Sequence, residues 1–234
     1  GGNLSVDGPF SSPRLEGTLT HCRPDMPLSV VDVSGRLILG DDPGAEDLDI
    51  TLQRLSLGVV EAYVQAGLDP RRTLEGTASL QGRLSTGLGV YLRTRYPAPE
   101  GETSVVSLTG TVRRAEGEFE FDLTGTAEPL WFPGVVEEGS SLARLGRATG
   151  TIGVTGPVSD LSVVVDLETS EGRLSVSASF DGREPFAGYE IVAIADDYDA
   201  TVLLPTLPEG TFLNGRVDIS GTGKDLDAAT LTAS

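Results

Sequence analysis

GTIGVTGPVSDL, residues 150–161, decides how the rest of the chain is read. Ile152 and Val154 alternate between two glycines, the chain turns at Gly156-Pro157, and a new run starts at Leu161. A two-residue apolar period of this kind marks a strand with one buried face. The same pattern opens the chain, with Leu4 and Val6 between Gly2 and Gly8-Pro9, although the following Leu15 falls two residues late. It returns as Val217 and Ile219 between Gly215 and Gly221, with Leu226 in register. A weaker copy runs from Gly76 to Gly82. The openings lie 74, 74 and 65 residues apart, which makes the chain a tandem array of β units.

Residues 1–75, 76–149 and 150–214 form three such units, and 215–234 begins a fourth. A second echo supports the division. Gly134-Val135-Val136-Glu137 repeats Gly58-Val59-Val60-Glu61, 76 residues on, so the repeat extends beyond the opening strand.

Within the units the alternation is clear. Val31, Val33, Leu37 and Leu39 share one phase, and Asp41-Asp42-Pro43-Gly44 is a turn. Leu48, Ile50 and Leu52 alternate, then Leu55, Leu57 and Val59 on a shifted phase, which predicts a bulge or break at Gln53-Arg54. Val60, Val64 and Leu68 fall at helical spacing before Asp69-Pro70, and Leu142 to Leu145 predicts a second short helix. His21 to Pro27 reads as a loop.

Further strands are expected at Thr77–Leu84, Val90–Tyr96, Val105–Arg113 and Glu118–Thr124. Phe119, Phe121 and Leu123 alternate with acids, the mark of an antiparallel sheet with one wet face. Leu161, Val163, Val165 and Leu167 share a face, as do Leu174, Val176, Ala178 and Phe180, with Asp181-Gly182 as a hairpin turn. Strands at Ile191–Ala195 and Thr201–Leu204 flank the acidic run Asp196–Asp199.

Composition narrows the class. Aromatic content is 6%, thin for the core of a compact sandwich, and thirty Gly with fourteen Pro fit a chain of many turns. The net charge of −18 repels phosphate backbones and disfavours a nucleic-acid role. Cys22 has no partner for an internal disulfide, which suits an oxidising envelope compartment. Starting at Gly1 rather than Met, the chain reads as a piece of a longer protein, and no run approaches the length of a membrane span.

Apolar strand faces need covering. Two sheets pack together, a sheet closes on itself, or one long sheet folds into a groove. With small aliphatic residues and no Pro/Ser-rich linker between units, the expected fold is all-β: an elongated repetitive antiparallel sheet curled into a groove. Tandem β-sandwich domains are the alternative.

The motif Gly-x-Leu-x-Val-x-Gly-Pro followed by Pro-x-Leu-x-Gly, here Gly2–Pro9 and Pro13–Gly17, resembles the TamB (translocation and assembly module) branch of the AsmA-like proteins. The copies at Gly150–Leu161 and Gly215–Leu226, and Leu74-Glu75-Gly76, extend the resemblance over most of the chain. It implies a taco-like β groove lined with apolar side chains, in a protein anchored in the inner membrane that crosses the periplasm. It also implies transfer of phospholipid between the inner and outer membranes and support of outer-membrane protein assembly, with a barrel partner of the TamA type. The anchor and the part that meets the barrel lie outside this chain.

The expected lining is Leu4, Val6, Leu37, Leu39, Ile50, Phe119, Phe121, Ile152, Val154, Val163, Val165, Leu174, Val176, Val217 and Ile219. The expected partners are phospholipid acyl chains. A structural or adhesive surface β repeat is the alternative function.

No catalytic constellation is expected, and no cofactor or metal. His21 is the one histidine, and beside Cys22 on an extended chain the two side chains point apart. One His and one Cys make no zinc site. Glu46–Asp49 and Asp196–Asp199 lack calcium-loop spacing, and Gly221-Thr222-Gly223-Lys224 lacks the Ser/Thr and upstream glycine of a phosphate loop. Trp131-Phe132-Pro133 reads as a cap over a sheet end.

Overall fold

The computed structural model describes residues 1–234 except 65–66, 98–102, 138, 140, 184–187, 200, 203–207, 209, 223–228 and 234. Alternation and turn signals produce a meander. The strands are β1 (Gly2–Asp7), β2 (Arg14–Arg23), β3 (Met26–Ile38), β4 (Gly44–Ser56), β5 (Thr73–Arg83), β6 (Gly87–Pro97) and β7 (Thr103–Ala115). They continue with β8 (Glu118–Trp131), β9 (Arg147–Pro157), β10 (Leu161–Thr169), β11 (Gly172–Phe180), β12 (Tyr189–Asp199), β13 (Phe212–Gly221) and β14 (Ala229–Ala233).

Each strand pairs antiparallel with the next, giving one open sheet of fourteen strands in chain order. Thirteen steps of about 4.8 Å place the outer strands about 62 Å apart along the sheet. Among the described residues there is no second sheet and no closure, so the sandwich alternative does not describe this fold. The accessible surface of 13633 Å² agrees. A compact chain of 24.4 kDa exposes about 10,000 Å².

The units sit four strands apart. β1, β5, β9 and β13 are the opening strands, and Gly2, Gly76, Gly150 and Gly215 fall in one row across the sheet.

α1 (Leu57–Val64) and α2 (Phe132–Val135) cap one edge. The alternation through Val59 predicts strand there, but the chain turns helical at Leu57 because Ser56 stops the strand. Ser56 is fully buried; its hydroxyl accepts from the Gly58 amide at 3.2 Å and donates to the Pro70 carbonyl at 3.1 Å. A serine oxygen on an amide of the first helical turn is an N-cap. The second Gly-Val-Val-Glu copy is tied at this edge to the segment that follows α1. The Asp69 amide donates to the Val135 carbonyl at 3.0 Å, and the Glu137 amide to the Gly67 carbonyl at 2.9 Å. α2 lies against Tyr96, so close that a methyl on Gly134 would stand 2.6 Å from its ring. Trp131 therefore belongs to a cap, as its sequence context predicts.

Asp69, buried in this brace, accepts from Arg71 Nε at 3.0 Å and Arg72 Nε at 3.4 Å. Donation by the Arg71 side chain holds its carboxyl below the ordinary aspartate value, against the opposing pull of burial. A depressed pKa contributes stability above the unfolded value of about 3.9, and this is lost as pH falls towards the folded value. Asp69→Asn is expected to cost about 1–3 kcal/mol at neutral pH. Its deficit should shrink at pH 3 in urea titrations, and an undiminished deficit there would exclude this role.

Several sequence expectations change in detail. The span His21–Pro27 is mostly strand, with a tight turn between Arg23 and Met26. β12 runs through Asp196–Asp199 with a bulge between Ala195 and Tyr198. That bulge swings Tyr198 inward to 1% exposure, which the surrounding acids conceal in the sequence. β9 continues through Pro157, and a short 3₁₀ turn at Val158–Asp160 makes the reversal. The connection after Asp181-Gly182 is longer than a two-residue hairpin. Thr201-Val202 is a turn, while Leu203-Leu204, Gly223-Lys224 and Leu226 lie outside the described residues. The break at Gln53-Arg54 is a bulge within one strand, and Ser141–Leu145 is a 3₁₀ helix.

Candidate functional site

Directly opposed residues of an antiparallel pair share a face, so the register traces rows across the sheet. One row runs Leu4, Gly17, Val33, Ile50, Ala78, Leu92, Leu108, Gly125, Ile152, Val165, Val176, Ala193, Val217 and Ala233. It has no polar side chain. Beside it, Leu48, Leu80, Val90, Gly110, Leu123, Val154, Val163, Ala178, Ile191 and Ile219 form a second row.

A third row passes through Leu19, Val31, Leu52, Val106, Leu167 and Leu174, broken only by Thr94, whose hydroxyl donates to the Val106 carbonyl at 3.3 Å. A fourth runs from Leu37 through Ala45, Gly82, Leu88 and Val112 to Phe121 and Gly156.

The other face is polar. Asn3, Thr18, Asp32, Thr51, Thr77, Arg93, Ser107, Thr126, Thr151, Asp166 and Ser175 form its matching row, ending in Ile194 and Arg216. Neighbours there hydrogen-bond across strands: Thr18 donates to Asp32 at 2.5 Å, and Ser175 to Asp166 at 2.6 Å. Thr18 and Gln53 donating to Asp32 hold that carboxyl below its ordinary value. Arg113 binds Glu120 through both carboxylate oxygens, at 2.9 and 2.7 Å, and keeps its carboxyl low. A hollow of about 420 Å³ between Thr151, Asp166, Glu168, Arg173, Ser175 and Asp196 belongs to this polar face.

Several glycines sit where a neighbouring strand comes close, Gly44 of the polar face against the Gly82 carbonyl among them. On the apolar face, a methyl at Gly150 would run into the Asp166 carbonyl and the Leu167 Cα of β10, and one at Gly110 into the Asp122 carbonyl of β8. On the polar face, Gly153 has open space above it, and Gly89 meets nothing nearer than 3.3 Å. Glycine kinks are how curved sheets bend.

Of the fifteen residues that sequence singles out, the register places fourteen on this face. Leu39 is the exception: it lies just past β3, 39% exposed, with its amide bonded to Ser11. Phe119 lies at the rim, beyond the fourth row. Missed by the sequence reading were Leu92, Leu108, Leu123 and Ile191, which sit in the same rows. Their phase was legible, but aligning strands from different units needs the register.

The lining is mostly half-buried, with Leu4, Val6, Leu19 and Phe119 exposed and Ala45, Leu48 and Gly125 buried, and a second layer does not cover it among the described residues. His21 and Cys22 are exposed on β2. Among the described residues no group of His, Cys, Asp or Glu gathers to hold a metal, and no helix is long and apolar enough to cross a membrane. The chain matches no protein-family model, no curated protein and no solved structure.

Proposed function

We propose that the apolar face binds and conducts phospholipid acyl chains, in a non-enzymatic segment of a TamB-like protein bridging inner and outer membranes across the periplasm. The observation that carries this reading is the unbroken apolar row through all fourteen strands, on a face no second layer covers among the described residues. A closed core of this size would bury its lining. Each methylene moved from water to such a surface gains about 0.8 kcal/mol. Successive rungs present similar Leu, Val, Ile and Gly surfaces, so a chain bound at one position finds nearly equal energy at the next. Lateral movement follows. Support of outer-membrane protein assembly, through a barrel partner of the TamA type, belongs to the same proposal and rests on the resemblance of the repeated motif.

A photo-crosslinking residue at Val154 is expected to capture phospholipid in cells, and one at Thr155, on the opposite face, to capture none. Equal labelling at both positions, or none at Val154, would sink the proposal.

A further inference from the structure

Arg114 breaks the rule of the apolar face. Of the Asp, Glu, Lys and Arg side chains on the described strands, the register puts there only Arg114, opposite Phe119 at the rim, and Arg23 at the β2–β3 turn, which pairs with Asp25 at 3.8 Å. Its neighbour Arg113 points to the polar face and is held by Glu120. Arg114 is exposed and has no ion-pair partner among the described residues, although the chain carries 35 acidic residues against 17 basic ones. β7 continues inward from it as Val112, Gly110, Leu108 and Val106. The stretch from Val112 to Val106 covers about 20 Å at 3.3 Å per residue. One leaflet of a bilayer core is about 15 Å deep, so an acyl chain laid along this stretch is fully accommodated.

We propose that Arg114 is a head-group subsite: it binds the phosphodiester of a phospholipid whose acyl chains lie along β7, an inference that rests on the lipid-conducting reading. Guanidinium geometry suits two phosphate oxygens at once. The same corner selects among head groups. Glu116, exposed in the adjoining turn, is the acid nearest to it in sequence, in a chain of net charge −18, whereas Glu118 and Glu120 lie on the polar face, held by Arg183 and Arg113. A zwitterionic head group offers its phosphate to Arg114 and its ammonium to Glu116, whereas an anionic head group meets the repulsion of the chain's negative charge. The preferred ligand is therefore a zwitterionic phospholipid.

The test is transfer of tail-labelled lipid from phosphatidylcholine vesicles to the purified chain. The three probes are phosphatidylethanolamine, phosphatidylglycerol and diacylglycerol, the last with tails but no phosphate. Arg114→Gln should lower uptake of phosphatidylethanolamine about fivefold, the upper range for an exposed ion pair, and leave diacylglycerol unchanged. Arg113→Gln makes the same charge change on the other face and should alter neither. Excess inorganic phosphate should not displace the lipid.

If Arg114→Gln takes up both lipids as wild type does, the subsite is wrong and the apolar groove stands. If phosphatidylglycerol is taken up as well as phosphatidylethanolamine, the head-group preference is overturned. Displacement by phosphate would mark a free-anion site instead. If the wild-type chain takes up neither phosphatidylethanolamine nor diacylglycerol, the lipid-conducting reading fails and the subsite with it.

Discussion

Gly150→Val should cost about 3 kcal/mol, a large share of the 5–15 kcal/mol that holds a domain together. The new side chain would meet the Asp166 carbonyl and the Leu167 Cα, both backbone atoms of β10. A flexible side chain swings away from such a clash; a hydrogen-bonded strand must move as a whole. Gly150 pairs with Leu167 on one side and Ala127 on the other, so the disturbance falls where two four-strand units join. Gly153→Val is the internal comparison, since a methyl there meets nothing within 4 Å. Valine suits a strand better than glycine, so that variant should be neutral or slightly stabilising. Urea titrations followed by circular dichroism measure both. Similar losses at the two positions would refute the close approach of β10 to Gly150 as the cause.

Ile152→Asp is expected to abolish lipid capture while lowering stability far less. Ile152 lies in the central row, half-buried, packed over Gly125 at the join of β8 and β9. An aspartate in a closed core would be left without water, at several kcal/mol. On an open face it remains hydrated, and the fold loses mainly the aliphatic contacts, about 1–2 kcal/mol. An acyl chain crossing that rung must strip water from the carboxylate, which raises a barrier on every path along the row. Crosslinking from Val154 should fall to background while the thermal midpoint shifts by only a few degrees. If stability and capture are lost together, Ile152 is an ordinary core residue.

Much of this was legible in the sequence. The opening strand of each unit announced itself through its flanking glycines, and the structure places those glycines in one row. Phe119 and Phe121 declared their face by alternating with acids. What escaped was set by contacts between strands rather than within them. Tyr198 reads as part of an acidic turn, and only a bulge makes it a buried side chain. Leu57 continues an alternation, yet the hydrogen bonds of Ser56 end the strand before it. Arg114 looks like one of a pair of ordinary surface arginines, because only the pairing with Phe119 shows that the two point to opposite faces.

The strictly sequential pairing of the strands separates reach from bore. Strands β4 to β9 each cross all four apolar rows, so strand length and kink placement fix the cross-section of the groove. The number of strands fixes only how far it extends. An inserted hairpin adds about 10 Å of length and leaves the bore unchanged. A residue inserted inside one strand flips its remaining side chains to the other face and interrupts every row it meets. Tolerance to length change therefore belongs at the hairpin turns, and duplication of four-strand units would lengthen such a sheet without redesigning its apolar face.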